Sequence, residues 1–276
     1  MNIKDLLVYM DDAVDSRVQL EAGLWLAERC QAHMSVVYAP TEQIFHYGSN
    51  IVDINVIEAQ LVALKKQGLE AKALFQTVTY NSTASIDYQP YGSDPISVLN
   101  RHSAYFDLLV VGQSGDRSLI SSQASAVDHL LLGSGCPLLV VPQQETPLSI
   151  GDRVLIAWNG MREAAHALHG ALPFLLKAKQ VDIVIVASAN EMESQHDDAS
   201  RLVTHLARYG VTANVTQLPK HDGEEPAQAI LSEAETREVN LIVMGAYGHS
   251  RLREIIIGGA TRYMLEHSTI PLLMSH

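Results

Sequence analysis

The chain has 276 residues, 47% of them hydrophobic, 18% charged and 6% aromatic, with a formal net charge of -12. That length holds two ordinary domains or one large one, and the apolar fraction supports a buried core, so neither a short disulfide scaffold nor a disordered chain fits. The acidity excludes broad, sequence-independent adhesion to nucleic acid or to anionic lipid, because both need clustered Lys and Arg.

In chain order, short apolar runs at 6–10, 34–39, 108–111 and 138–141, with a weaker one at 85–89, read as strands. Helical periodicity covers 16–31, where Val18, Leu20, Ala22, Leu24 and Leu26 take the apolar positions, then 52–68 or beyond, and 95–105. The second half follows with strands at 154–157, 182–187, 211–217, 241–244 and 272–274, and helices at 162–177, 193–209, 226–237 and 259–267. Strands alternating with helices predict parallel sheets with helical crossovers. The expected fold is α/β, with five strands and four helices per half, and doubly wound sheets of this kind bind ligands at the carboxyl ends of their strands.

The two halves repeat each other. Leu6-Leu7-Val8-Tyr9-Met10-Asp11 corresponds to Val154-Leu155-Ile156-Ala157-Trp158-Asn159, and Asp94-Pro95 to Glu225-Pro226. DLLVVGQSG from Asp107 matches NLIVMGAYG from Asn240, and CPLLVVP from Cys136 matches IPLLMSH from Ile270. Four matches in one order define two copies of one domain, 1–145 and 151–276, separated by a polar segment containing Pro147. The first copy carries about 17 extra residues between its first strand and its Asp-Pro, as the offsets of 148 and 131 show.

The most informative segment is GAYGHSRLREIIIGGAT, Gly245 to Thr261, which begins where the strand LIVM ends. Two glycines three apart allow a sharp turn and a close backbone approach to an anion. Gly258 and Gly259 stand at the expected N-terminus of the last helix, where free N–H groups and the helix dipole favour phosphate. Ala260 follows, Thr261 adds a hydroxyl, and His249, Arg251 and Arg253 add positive charge. This is neither a Walker A loop nor a GxGxxG fingerprint.

The pattern G-x2-G-x9-G after an apolar strand and before a terminal helix resembles the nucleotide loop of the universal stress protein family, and the paired copies resemble a tandem universal stress protein nearly end to end. The resemblance implies two pseudo-twofold related domains of the adenine-nucleotide alpha-hydrolase-like kind. It also implies ATP, accompanied by Mg, in those members that bind nucleotide. In those members an Asp at the end of the first strand meets the adenosine; Asn159 holds that place here, and the backbone around Ala187 would line the adenine pocket. Gly245, Gly248 and Gly258 match the motif glycines, Gly259 replaces a usual Ser or Thr, and Thr261 matches a position facing the phosphates.

The first copy keeps Asp11, Gly112 and Gly115, but Ser125 stands where the third glycine belongs and Asp116 puts negative charge beside the loop. Residues 1–150 hold 8 Lys and Arg against 16 Asp and Glu, and residues 151–276 hold 11 against 15. The nucleotide is therefore expected in the second copy only.

Other candidates carry less. His166 and His169 have a metal-compatible spacing without further ligands, and read as a polar helix face. Asp11 and Asp12 suit a helix cap, and Asp197 and Asp198 a solvated helix face. Cys30 and Cys136 form no CxxC pair and no metal-ligand spacing, and read as buried thiols in a reducing compartment. No GxSxG elbow, HExxH motif or other catalytic constellation is visible, so any ATP hydrolysis is expected to be slow and incidental.

The five apolar residues before Asp11 are too few for a signal-peptide core, and no run reaches the roughly 18 to 20 residues of a membrane helix. A cytoplasmic stress-response module that binds ATP or a related adenine nucleotide is the leading expectation. A ligand-free scaffold for protein partners is the alternative, and an adenylating α/β hydrolase is a third. The last strand of each copy is apolar and suits a sheet edge that needs covering. Family members pair through this strand, which implies an internal pseudo-dimer, with homodimerisation as a further possibility.

Overall fold

A computed structural model describes residues 2–11, 16–40, 54–91, 94–113, 126–143, 149–188, 192–220, 225–248 and 259–276. The first half runs β1 (Asp5–Met10), α1 (Arg17–Cys30), β2 (His33–Tyr38), α2 (Ile54–Thr79), β3 (Ser85–Pro90), α3 (Pro95–Ser103), β4 (Leu108–Gly112), α4 (Ala126–Gly133) and β5 (Leu138–Val141). The second runs β6 (Arg153–Ala157), α5 (Arg162–Leu175), β7 (Gln180–Ala187), α6 (Met192–Arg208), β8 (Asn214–Pro219), α7 (Pro226–Thr236), β9 (Leu241–Gly245), α8 (Gly259–His267) and β10 (Leu272–Ser275).

All ten strands form one sheet in the order β3-β2-β1-β4-β5-β10-β9-β6-β7-β8. Each half is parallel throughout and has the same internal order. The halves meet where β5 and β10 pair antiparallel, with Leu273 opposite Leu139. Each of these strands would be the exposed edge of its own half, and each supplies the hydrogen-bonding partner the other lacks.

The central strands are apolar on both faces, as parallel strands covered by helices on both sides must be. Successive residues alternate between two cores: Leu6, Val8 and Met10 lie with α1, α2, α5 and α6, while Leu7 and Tyr9 lie with α3, α4, α7 and α8. Both cores extend across both halves.

Three elements differ from the sequence expectation. A fourth helix of the first half, α4, lies at a place the periodicity leaves unassigned. Helix α2 has 26 residues against 17 in α6, so about half of the extra length of the first copy is helix. Strand β8 starts three residues later than its apolar pattern suggests. Gly210 takes a left-handed φ of 79°, and the N–H of Val211 returns to the Leu206 carbonyl at 3.1 Å. Val211 therefore completes the cap of α6 before pairing begins.

Candidate functional site

In the second half the strand order reverses between β6 and β9: the helix after β6 covers one face of the sheet and the helix after β9 the other. A crevice at the carboxyl ends of such a pair is where doubly wound sheets take ligands. Asn159 enters it from the β6 side, and Gly245 and Gly248 from the β9 side. A Cβ placed on Gly248 would lie 3.7 Å from the Asn159 amide nitrogen, so these two predicted residues are neighbours.

Asn159 is exposed, and its side-chain oxygen accepts the Met161 N–H at 3.0 Å, bracing the turn into α5. Gly160 permits that turn with a φ of 72°. Ala187 is fully buried at the end of β7, and its carbonyl accepts the Lys220 N–H at 2.9 Å.

The glycines behave differently from one another and from the sequence expectation. Neither supplies the left-handed turn, which falls on Tyr247 with a φ of 64°. Gly245 is required by packing: a Cβ there would come within 2.5 Å of the Ala164 nitrogen and 2.7 Å of the Glu163 carbonyl carbon, both backbone atoms of α5. Gly248 is exposed, and its nearest neighbours would stand 3.6 Å or more from a Cβ.

Thr261 is buried, and its hydroxyl accepts the Tyr247 N–H at 3.3 Å, tying the first turn of α8 to the loop after β9. Ala260 is half-buried beside it, and Gly259 is exposed at the start of α8. The sequence-predicted residues His249 and Gly258, with Arg251 and Arg253, lie outside the described residues. So do Gly115, Asp116 and Ser125 of the first copy, and Asp12. Gly112 sits against the Gln19 side chain, and Asp11 accepts from the Ser16 hydroxyl at 3.1 Å.

Three residues at the crevice are not legible as site residues in the sequence. Tyr247 is buried, and its hydroxyl donates to Asp128 of α4 at 2.8 Å, which joins the loop to the other half. Burial and the Asp128 carboxylate push its phenol well above the ordinary tyrosine range, so it stays protonated. Glu163 is buried beside Gly248; although burial alone would raise its carboxyl, its own backbone N–H and Arg162 hold it below the ordinary glutamate range. Glu225 brings both carboxylate oxygens within 3.3 Å of a Cβ placed on Gly259. Its counterpart Asp94 instead caps α3 through the Ser97 N–H at 3.2 Å.

The metal and thiol candidates do not converge. His166 bonds through Nδ1 to the His276 carbonyl oxygen at 3.1 Å, and His169 packs edge-on against His205. Among the described residues no group of three His, Cys, Asp or Glu side chains could hold a metal ion. Both cysteines are buried, and burial pushes the Cys136 thiol up to about 11, which makes it unreactive. No helix among the described residues is long and apolar enough to cross a membrane.

These features define a two-part doubly wound α/β protein whose second half gathers polar groups at the carboxyl ends of β6 and β9. Residues 151–276 match the universal stress protein family. Over 98% of its length the chain is 23% identical to a universal stress protein from Synechocystis, covering 99% of that protein. Its fold is shared with a universal stress protein from Archaeoglobus fulgidus, with a TM-score of 0.71 at 18% identity over 98% of this chain and 97% of that one. It is also shared with a functionally unknown protein from Pseudomonas aeruginosa, with a TM-score of 0.59 at 17% identity over 99% and 92%. The family match itself covers the second half of the chain, and over its full length the chain is similar to universal stress proteins in distant sequence and in fold.

Proposed function

We propose that this chain is a stress-response module that binds ATP or a related adenine nucleotide in its C-terminal half, with no catalytic role assigned to any residue. One juxtaposition carries the proposal: Asn159, Gly248 and the first turn of α8 face one crevice, and the Thr261 hydroxyl holds that turn to the loop. A helix N-terminus such as that of α8 presents backbone N–H groups and the positive end of a helix dipole to a phosphate. Among the described residues the Asn159 amide nitrogen donates to no partner, which leaves it for the nucleoside. Mg would enter with the triphosphate.

Titration of ATP by calorimetry, with the parent chain and Gly248→Val, tests the proposal. A branched side chain at Gly248 fills the exposed approach to the crevice. Binding by the parent and at least tenfold weaker binding by the variant is the expected result. Equal behaviour of the two, or no heat and no thermal shift with the parent, would overturn it.

A second reading, a scaffold for protein partners with no nucleotide, rests on the two carboxylates at the crevice. Glu163 beside Gly248 and Glu225 beside Gly259 put negative charge where phosphates would come. Glu225→Gln separates the two readings: it tightens ATP several-fold if phosphate approaches α8, and changes nothing if the crevice takes no anion.

A further inference from the structure

On the sheet face covered by α5 and α6, the second half holds a cavity of about 320 Å³ that contains no residue of the glycine segment. It exists because the two halves pack this face differently. Helices α1 and α2 approach each other more closely than α5 and α6, which meet at the His169 and His205 rings. Trp158 and Leu168 form its apolar surface, and His169, Asp198, Arg201 and His205 its polar one.

Three features of this cavity are incomplete as they stand. Among the described residues the Trp158 indole nitrogen, which is shielded from solvent, donates to no acceptor, a condition that folded proteins rarely leave uncorrected. Asp198 and Arg201 lie one helical turn apart on α6, yet neither is in an ion pair among the described residues. Acid–base pairs four residues apart do close elsewhere, as Arg17 with Glu21, Arg237 with Glu233 and Arg262 with Glu266 show. The Asp198 carboxylate instead stands over the turn at Gly160, with Oδ2 3.7 Å from a Cβ placed there. Beside these charges the rings of His169 and His205 meet edge-on, with centroids 5.8 Å apart.

Opposite unpaired charges at this spacing suit a ligand that carries both signs on adjacent atoms. An anion alone would meet Asp198, and a cation alone would meet Arg201. The indole, Leu168 and the imidazole edges call for a flat apolar group. The volume lies at the small end of the roughly 300 to 1,000 Å³ range of ligand pockets, enough for about a dozen heavy atoms and too little for a nucleoside triphosphate. We propose that the cavity is a binding site for a small aromatic zwitterion of the α-amino-acid class. Its carboxylate pairs with Arg201 and its ammonium with Asp198. Its ring rests on Trp158 and Leu168.

The chain contains two tryptophans, Trp25 and Trp158, so Trp25→Phe leaves Trp158 as the sole tryptophan, read by excitation that spares tyrosine. Titration of that variant with L-phenylalanine is expected to shift Trp158 emission saturably, with a Kd below about 1 mM. Phenethylamine, which lacks the carboxylate, and 3-phenylpropionate, which lacks the ammonium, should each bind at least tenfold more weakly. Arg201→Gln should reduce phenylalanine to the level of phenethylamine while leaving phenethylamine unchanged, and Asp198→Asn should do the same with respect to phenylpropionate. Both side chains are exposed, so these substitutions leave the fold intact. If Trp25→Phe does not fold, equilibrium dialysis of labelled phenylalanine against the parent chain gives the same decision. No saturable binding, equal affinity for the three compounds, or indifference to both substitutions would overturn the proposal.

Discussion

Gly245 and Gly248 look equivalent in the sequence, but the contacts around them separate their roles. At Gly245 the backbone of α5 passes so close that any Cβ meets main-chain atoms that cannot move aside, while a Cβ on Gly248 would make only ordinary van der Waals contacts. Gly245→Ala is therefore expected to destabilise the fold by about 1–3 kcal/mol through overpacking. Gly248→Ala should stay within about 0.5 kcal/mol, as exposed substitutions generally do. Urea denaturation of the two variants checks both values, and equal costs would mean that the approach of α5 does not depend on Gly245. The left-handed turn between them falls on Tyr247, whose backbone bears a strain of about 1–2 kcal/mol for an L residue. Two side-chain contacts hold it there: its hydroxyl on Asp128, and the Thr261 hydroxyl on its N–H.

At the scale of elements, the sequence reveals most where burial is two-sided. Strands such as β4 and β9 are continuous apolar runs because helices cover both faces, and the repeat places them in both copies. The glycine segment and Asn159 are legible for a related reason, since their spacing is local to one strand-loop-helix unit. Tyr247, Glu163 and Glu225 are not legible, because what brings them to the crevice is contact across the sheet with α4, Gly248 and Gly259, and spacing along the chain carries no record of that.

The edge of the second half shows the same limit. Asp182 sits in an apolar strand yet is buried, and Arg237 from the end of α7 pairs with it at 2.9 Å, while also reaching Glu233 and the Thr216 hydroxyl. Arg237→Met would leave the Asp182 carboxylate buried with only amide donors from Gln180 and Asn214. Removing one member of a buried pair typically costs about 3–5 kcal/mol. A thermal melt should show a loss of that order, and an unchanged melting temperature would mean that the two amides suffice.

At the scale of the whole molecule, the halves are joined by more than the β5–β10 seam. The loops after β4 and β9 each reach into the other half: the Gln113 amide donates to the Leu265 carbonyl near the end of α8 at 2.6 Å, and Tyr247 donates to Asp128 on α4. Tyr247→Phe removes the donor and leaves a buried carboxylate short of one partner, at a cost of about 1–3 kcal/mol. If the halves unfold as one unit, that loss should appear in a single denaturation transition followed by far-ultraviolet circular dichroism. Loss confined to one of two separate transitions would show that the halves melt independently.

The far end of the same junction is ionic. Asp152, just before β6, accepts from Lys179 at 2.8 Å and from Arg29 of α1 at 3.1 Å. The Lys179 hydrogen bond, with the charges of Lys179 and Arg29, holds its carboxyl below the ordinary Asp value of about 3.8. A folded-state value below the unfolded one means that the unfolded chain takes up the proton first. The stabilisation is therefore complete well above pH 4 and is lost as pH falls through the lowered folded value. Lys179 is largely and Arg29 partly solvent-exposed, which limits the contribution to about 1 kcal/mol and makes it sensitive to salt. Chemical denaturation of the parent and Asp152→Asn between pH 3 and 7 at low ionic strength should give curves that differ near neutrality and converge in acid, with the gap narrowing in about 1 M salt. A gap that persists unchanged at the lowest pH would assign the effect to the hydrogen-bonding shape of the side chain, because a carboxylate that has lost its charge has no further electrostatic hold on Arg29 across the two halves.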